Sequence, residues 1–217
     1  MARCKSAVRD TVRRSIRDDP WLILNERLTH KNSYSPAADF FTVEVWTGRG
    51  LVTHYVLFAM SLADRVVAVA GTTTRPNEAW MLQIGRNLTD CESGVLRSNQ
   101  YLIIDRDNKY TAQFRRLIED GGANVIRLPP NSPNLNAYAE RFVRSIKDEC
   151  LNKMIFIGQA SLRRALCEYI EHYHQERNHQ GLGNCLIRLH ESAASDGCVR
   201  RRERLGGTLN FYCRQAA

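Results

Sequence analysis

From Asp39 to Trp46 apolar and polar positions alternate, with Phe41, Val43 and Val45 on one parity and Thr42 and Glu44 on the other. That is the pattern of a half-buried strand. LVTHYVLFAMSL and RVVAVAGTT are two further apolar runs, joined by a short turn at 63–65 that predicts a hairpin. In TTTRPNEAWMLQIGRNL the period changes to four, through Trp80, Ile84 and Leu88, and a helix is expected with Pro76 in its first turn and Glu78 after it. YLIID reads as a fourth strand buried on both faces, TAQFRRLIEDGG as a helix ended by Gly121 or Gly122, and NVIRL as a fifth strand. The loop PPNSPNLN then leads into two long periodic helices, AYAERFVRSIKDECL and SLRRALCEYIEHYHQER. A meander of three strands followed by strand–helix units predicts an α/β domain, a mixed five-stranded sheet flanked by helices on both faces.

The two ends of the chain differ from this middle. Residues 1–35 carry Arg3, Lys5, Arg9, Arg13, Arg14 and Arg17 and are broken at Pro20 and Pro36, which predicts a basic arm or linker. Residues 186–217 form a basic extension, in which Arg200, Arg201, Arg202 and Arg204 precede a GG turn and an apolar-aromatic run. A basic strand–turn–strand of this kind can hold phosphates; the plainer reading is a solvated tail. With 217 residues, 43% of them hydrophobic, the chain holds one packed α/β domain plus arms, the core spanning about 36–185.

A net charge of +8 favours a polyanionic partner, nucleic acid or an acidic membrane surface. No apolar run approaches the roughly 18 residues of a membrane span, and the N-terminus lacks a secretory core. Seven scattered cysteines without a CxxC pair exclude the usual zinc spacings and suit reduced thiols in a cytoplasm.

Three acids stand where packing would not put them. Asp105 ends an apolar strand, the place where open α/β sheets put their ligand crevice. Asp39 shares the parity of Phe41, Val43 and Val45, and Glu140 lies in the first turns of the helix after the Pro/Asn loop. Carboxylates converging from two strands and a helix repel one another and call for divalent cations, for which Mg²⁺ is the suitable hard-oxygen choice. Asp107 competes with Asp105 and is otherwise a turn cap, while Asp148 and Glu149 read as a solvated face. Arg144 and Lys147 follow Glu140 at i+4 and i+7 on one helix face, with Phe142, Val143, Ile146 and Cys150 as the apolar stripe opposite. Arg144 is also spaced to pair with Glu140.

DFFTV, IIDRDNKYTAQF, PPNSPNLNAYAERFVRSIKDECL and YIEHYHQERNHQGLG, in this order, resemble the motifs of DDE transposases and retroviral-type integrases. Asp105 and Glu140 are 35 positions apart, the spacing that family keeps. The resemblance covers about 36–185 and implies an RNase H-like fold. It further implies a catalytic and metal-binding triad of Asp39, Asp105 and Glu140 and two Mg²⁺ (or Mn²⁺) ions. The family string favours Asp105 over Asp107 and puts basic residues such as Lys147 and Arg144 on the DNA backbone. DNA cleavage and strand transfer are the implied reaction, with DNA ends and target as partners. A homo-oligomer on DNA is implied as well, with no membrane and no small-molecule cofactor, in a cytoplasmic or nucleoid setting. Asn178 and His179 match a family string too, though His179 serves equally as a helix-end structural residue. Two rivals stay open: an RNase H-like nuclease that cuts without joining, and a DNA-binding remnant without activity. Family members carry an N-terminal helix-turn-helix, and the 38 residues before Asp39 leave little room for one, so a truncated copy or one part of a split protein is expected.

Overall fold

The computed structural model describes residues 36–92, 94–96, 98, 100–128, 137–188 and 198–214. The basic arm at 1–35 and the Pro/Asn loop at 129–136 lie outside the described residues. The first strand, β1 (Pro36–Thr47), pairs antiparallel with β2 (Gly50–Ser61) along its whole length, and β2 pairs with β3 (Val67–Thr73). On the other side of β1, β4 (Tyr101–Ile104) runs parallel to it, and β5 (Asn124–Arg127) runs parallel to β4. The order β3-β2-β1-β4-β5 is the mixed five-stranded sheet expected from the sequence. An unexpected sixth strand, β6 (Phe156–Ile157), pairs with Val45 and Trp46, beyond the reach of β4.

Alternation in β1 and β2 supplies two hydrophobic faces, and each is covered. Ala38, Leu57, Leu102 and Ile104 meet α1 (Glu78–Leu88) and α2 (Ala112–Asp120), through Met81, Ile84, Leu88, Phe114 and Ile118. The opposite face, with Phe41, Val43, Val45 and Phe58, meets α3 (Ala137–Glu149) and α4 (Gly158–Gln175), through Phe142, Ile146, Leu166 and Tyr169. Gly85 lets α1 and α2 approach closely, since a Cβ there would stand 2.8 Å from Leu117. Gly122, at φ 86°, turns the chain from α2 into β5 in a conformation an L side chain rarely adopts.

Two local expectations shift. Helix α1 begins after Pro76, because Asn77 is the cap: its side chain accepts from the Trp80 N–H at 2.9 Å. Strand β4 is buried on one face only; Leu102 and Ile104 are enclosed, Ile103 is half-buried and Tyr101 is exposed. The basic tail takes the strand–turn–strand form read from the sequence, not that of a solvated tail. It forms a hairpin, β7 (Val199–Arg204) with β8 (Leu209–Arg214), whose Leu209 enters the core. Among the described residues, no helix is long and apolar enough to cross a membrane.

Candidate active site

Parallel pairing of β1 with β4 sets Ala37 beside Ile103 and Ala38 beside Ile104. One register step further, Asp39 and Asp105 stand side by side where β4 ends. Both share the parity of residues on the α3/α4 face, as the alternation in β1 predicts. Each is half-buried. An Asp39 oxygen accepts from the Phe40 N–H at 2.7 Å, and an Asp105 oxygen accepts from the Asp107 N–H at 3.0 Å, a tight turn that aims the strand's last acid.

The neighbours separate Asp105 from its competitor. Asp107 accepts from the Lys109 N–H at 2.9 Å and also forms an ion pair with the Lys109 ammonium, so its charge is offset locally. It caps the turn, while the cap of α2 proper is Thr111. Asp105 has no ion pair among the described residues. Lys109 in turn lies 5.1 Å above the Phe40 ring and 5.5 Å above that of Tyr55.

Tyr110 completes this corner, and the sequence reading missed it. Its hydroxyl is buried without a hydrogen-bond partner among the described residues. Burial, and then the charges of Asp39, Asp105 and Asp107, push its pKa well above the ordinary value. The phenol therefore stays protonated within the field of the three carboxylates. The only hint of it in the sequence is DNKY directly after the acids.

Glu140 lies in the first turn of α3, exposed, with no hydrogen bond or ion pair among the described residues. The Phe142 ring sits 4.9 Å from that of Phe58, the β2 residue in register with Asp39, so the helix start overlies the same side of the sheet. Yet no group of three His, Cys, Asp or Glu residues that could hold a metal is gathered among the described residues. The strand register brings Asp39 and Asp105 together, and Glu140 does not join them in such a group. Arg144 is exposed and Lys147 half-buried; the expected Glu140–Arg144 ion pair is not formed.

The hairpin arginines divide by role. Arg202 and Arg204 reach the buried Glu176 at the end of α4, at 3.2 and 2.8 Å, and Arg204 also reaches Glu171 at 3.0 Å. Arg201 pairs with Glu203 at 2.7 Å. Of the arginines expected on DNA in this segment, only Arg200 is exposed and without a partner among the described residues. Glu149 also departs from expectation. It is no solvated acid, since it accepts two-pronged from Arg177 at 2.7–3.0 Å and from the Tyr169 hydroxyl at 3.1 Å. His179 is a helix-end structural residue: buried, with Nε2 2.8 Å from the Tyr173 carbonyl and its ring edge-on to Tyr173. Asn178 is exposed at the rim of a neighbouring cleft.

Residues 122–186 match the family model described as integrase core domain. The 39.2 kDa protein of insertion element IS476 from Xanthomonas euvesicatoria is 32% identical over 80 residues, which is 36% of this chain and 23% of that protein. The chain thus matches less than a quarter of that relative's length. The catalytic domain of Mos1 mariner transposase aligns at TM-score 0.50 and 16% identity, over 70% of this chain and 77% of that one. The catalytic core domain of BIV integrase aligns at TM-score 0.49 and 16% identity, over 69% and 89%. Residues 122–186 thus resemble the integrase core domain in sequence, and the mixed sheet with its flanking helices shares the RNase H-like fold of the Mos1 catalytic domain.

Proposed function

We propose that residues 36–185 are the catalytic core of a DNA transposase of the DDE type, which cleaves a DNA strand and joins its 3′ end to target DNA. The observation that carries this reading is the side-by-side placement of Asp39 and Asp105 at the end of β4, in a segment continuous with the integrase-like stretch. Residues 1–35 would be a linking arm and 186–217 a basic extension, the whole working as a homo-oligomer on DNA in the cytoplasm or on the nucleoid.

The donor set fits divalent cations, because the clustered side chains offer hard carboxylate oxygens and neither sulfur nor imidazole. Asp39 and Asp105 would hold Mg²⁺ or Mn²⁺, with Glu140 as the third carboxylate on that side of the sheet. Two such ions, when bound, activate an attacking water or DNA 3′-hydroxyl and offset charge on the phosphate. The chain's own groups do the rest. The Tyr110 hydroxyl keeps its proton and so adds no further negative charge beside the carboxylates. Arg144 and Lys147, free of ion pairs among the described residues, grip phosphates beside Glu140, and Arg200 adds a contact from the hairpin.

The test is a labelled duplex with a free 3′-hydroxyl, incubated with Mg²⁺ and target DNA. Nicked and joined products are expected from the native protein, and neither from Asp39→Asn or Asp105→Asn. Nicking without joining would identify a nuclease, and binding without either product a DNA-binding remnant.

A further inference from the structure

On the face of α3 turned away from Glu140 lies a cleft of about 400 Å³, walled by the first turns of α3, the β2–β3 turn and the segment after α4. Its lining contains three arginines, Arg65, Arg141 and Arg177, and no carboxylate. Arg65 holds left-handed backbone at φ 63°, uncommon for a residue with a side chain, and lays its guanidinium 3.2 Å from the centre of the Tyr138 ring. Arg177 is fixed in direction by Glu149. Arg141 is exposed and has no hydrogen bond or ion pair among the described residues. All three guanidiniums act on the buried Tyr173 hydroxyl; burial raises its pKa, and the arginines pull against that.

Glu149 holds Arg177 at 2.7 Å and offsets its charge, so Arg65 and Arg141 leave the concavity with two guanidiniums that have no carboxylate partner among the described residues, and the planar fork of arginine matches the oxygens of a phosphate. Tyr138, Ser145, Asn178 and Gln180 add aromatic and neutral polar surface around them. The floor residue Met60 is in register with Ala37, two residues before Asp39 on the same face of β1, or about 7 Å along the strand. A strand laid over the acid pair and across the start of α3 therefore arrives at this cleft.

We propose that the cleft is a second phosphodiester site, where a backbone phosphate of the bound DNA lies between Arg141, Arg65 and Arg177. The site rests on the DNA-processing reading above, and it positions DNA without touching the reacting atoms.

Binding is measured by anisotropy of a labelled duplex in EDTA, from about 50 to 200 mM salt. One lost phosphate contact flattens the log–log salt slope by about 0.9, so Arg141→Ala should lose about 3.5 times more affinity at the low-salt end than at the high. Arg141→Lys should keep the slope. Arg116→Ala, an exposed control on α2 across the sheet, should leave it as it is. Native slope in Arg141→Ala, or equal flattening in Arg116→Ala, overturns the site while leaving the transposase reading intact. No DNA binding by the native protein overturns both. If thymidine monophosphate raises the melting temperature of the native protein and not of Arg141→Ala, while the DNA slopes coincide, the cleft takes free nucleotides and the proposal falls.

Discussion

Glu176→Gln should detach the C-terminal hairpin from the domain, and the size of the effect follows from the carboxylate's surroundings. The side chain is 1% exposed and accepts from Arg204 at 2.8 and 2.9 Å, Arg202 at 3.2 Å and His172 at 3.0 Å. Burial alone would push its pKa up; the hydrogen bonds from Arg204, His172 and Arg202 outweigh that and hold it at about 2, against an ordinary 4.5. The gap corresponds to about 3 kcal/mol of stability. The unfolded chain takes up this proton near pH 4.5 and the folded one only near 2, so the contribution is complete above 4.5 and disappears as pH falls towards 2. Glutamine keeps an acceptor but leaves Arg202 without its anion and Arg204 with Glu171 alone. At neutral pH the variant should melt about 6–12 °C lower, using the 2–4 °C per kcal/mol typical of a chain this size. Thermal melts of both proteins at pH 7 and near pH 2, with hydrogen exchange at the Leu205 amide that Glu168 holds, provide the check. The two melting temperatures should converge in acid. An equal deficit at both pH values would mean that the loss is one of packing and that the charge network contributes little.

Asp105→Asn should end Mg²⁺-dependent nicking with the fold intact, since asparagine still accepts from the Asp107 N–H; Asp107→Asn should retain activity, and the reverse outcome in the nicking assay would make Asp107 the working acid. Lys147→Ala should weaken strand transfer far more than metal binding or folding, Lys147→Glu more so, and Arg144→Ala in the same manner because no Glu140 ion pair occupies it; normal strand transfer in Lys147→Ala would return that lysine to the solvated surface. Phe142→Ala, which empties a position packed against Phe58 and Tyr173, should cost about 3–5 kcal/mol in urea unfolding.

What could be read ahead of the structure was whatever repeats locally. Strand parity put Asp39 on the α3/α4 face, and the run into IIDRD put Asp105 at a strand end, because alternation and burial are properties of neighbours along the chain. Long-range pairings left no such trace. Glu149 and Arg177 are 28 residues apart, as are Glu176 and Arg204, and nothing in either segment's period distinguishes a partnered charge from a solvated one. Reading Glu149 as solvated surface failed for that reason, and the pairing of Arg202 with Glu176 went unseen. A half-exposed charge costs little to leave in water, and its destination is decided by which element folds back against it. Tyr110 was hidden in another way: its ring is ordinary core packing against Phe40 and Phe114, and only its hydroxyl, one atom beyond the pattern, feels the charge of the acids. Glu140 marks the limit from the other side. Its helix and its stripe were legible, but which strands that helix lies over is decided by tertiary packing, which side-chain periodicity does not encode.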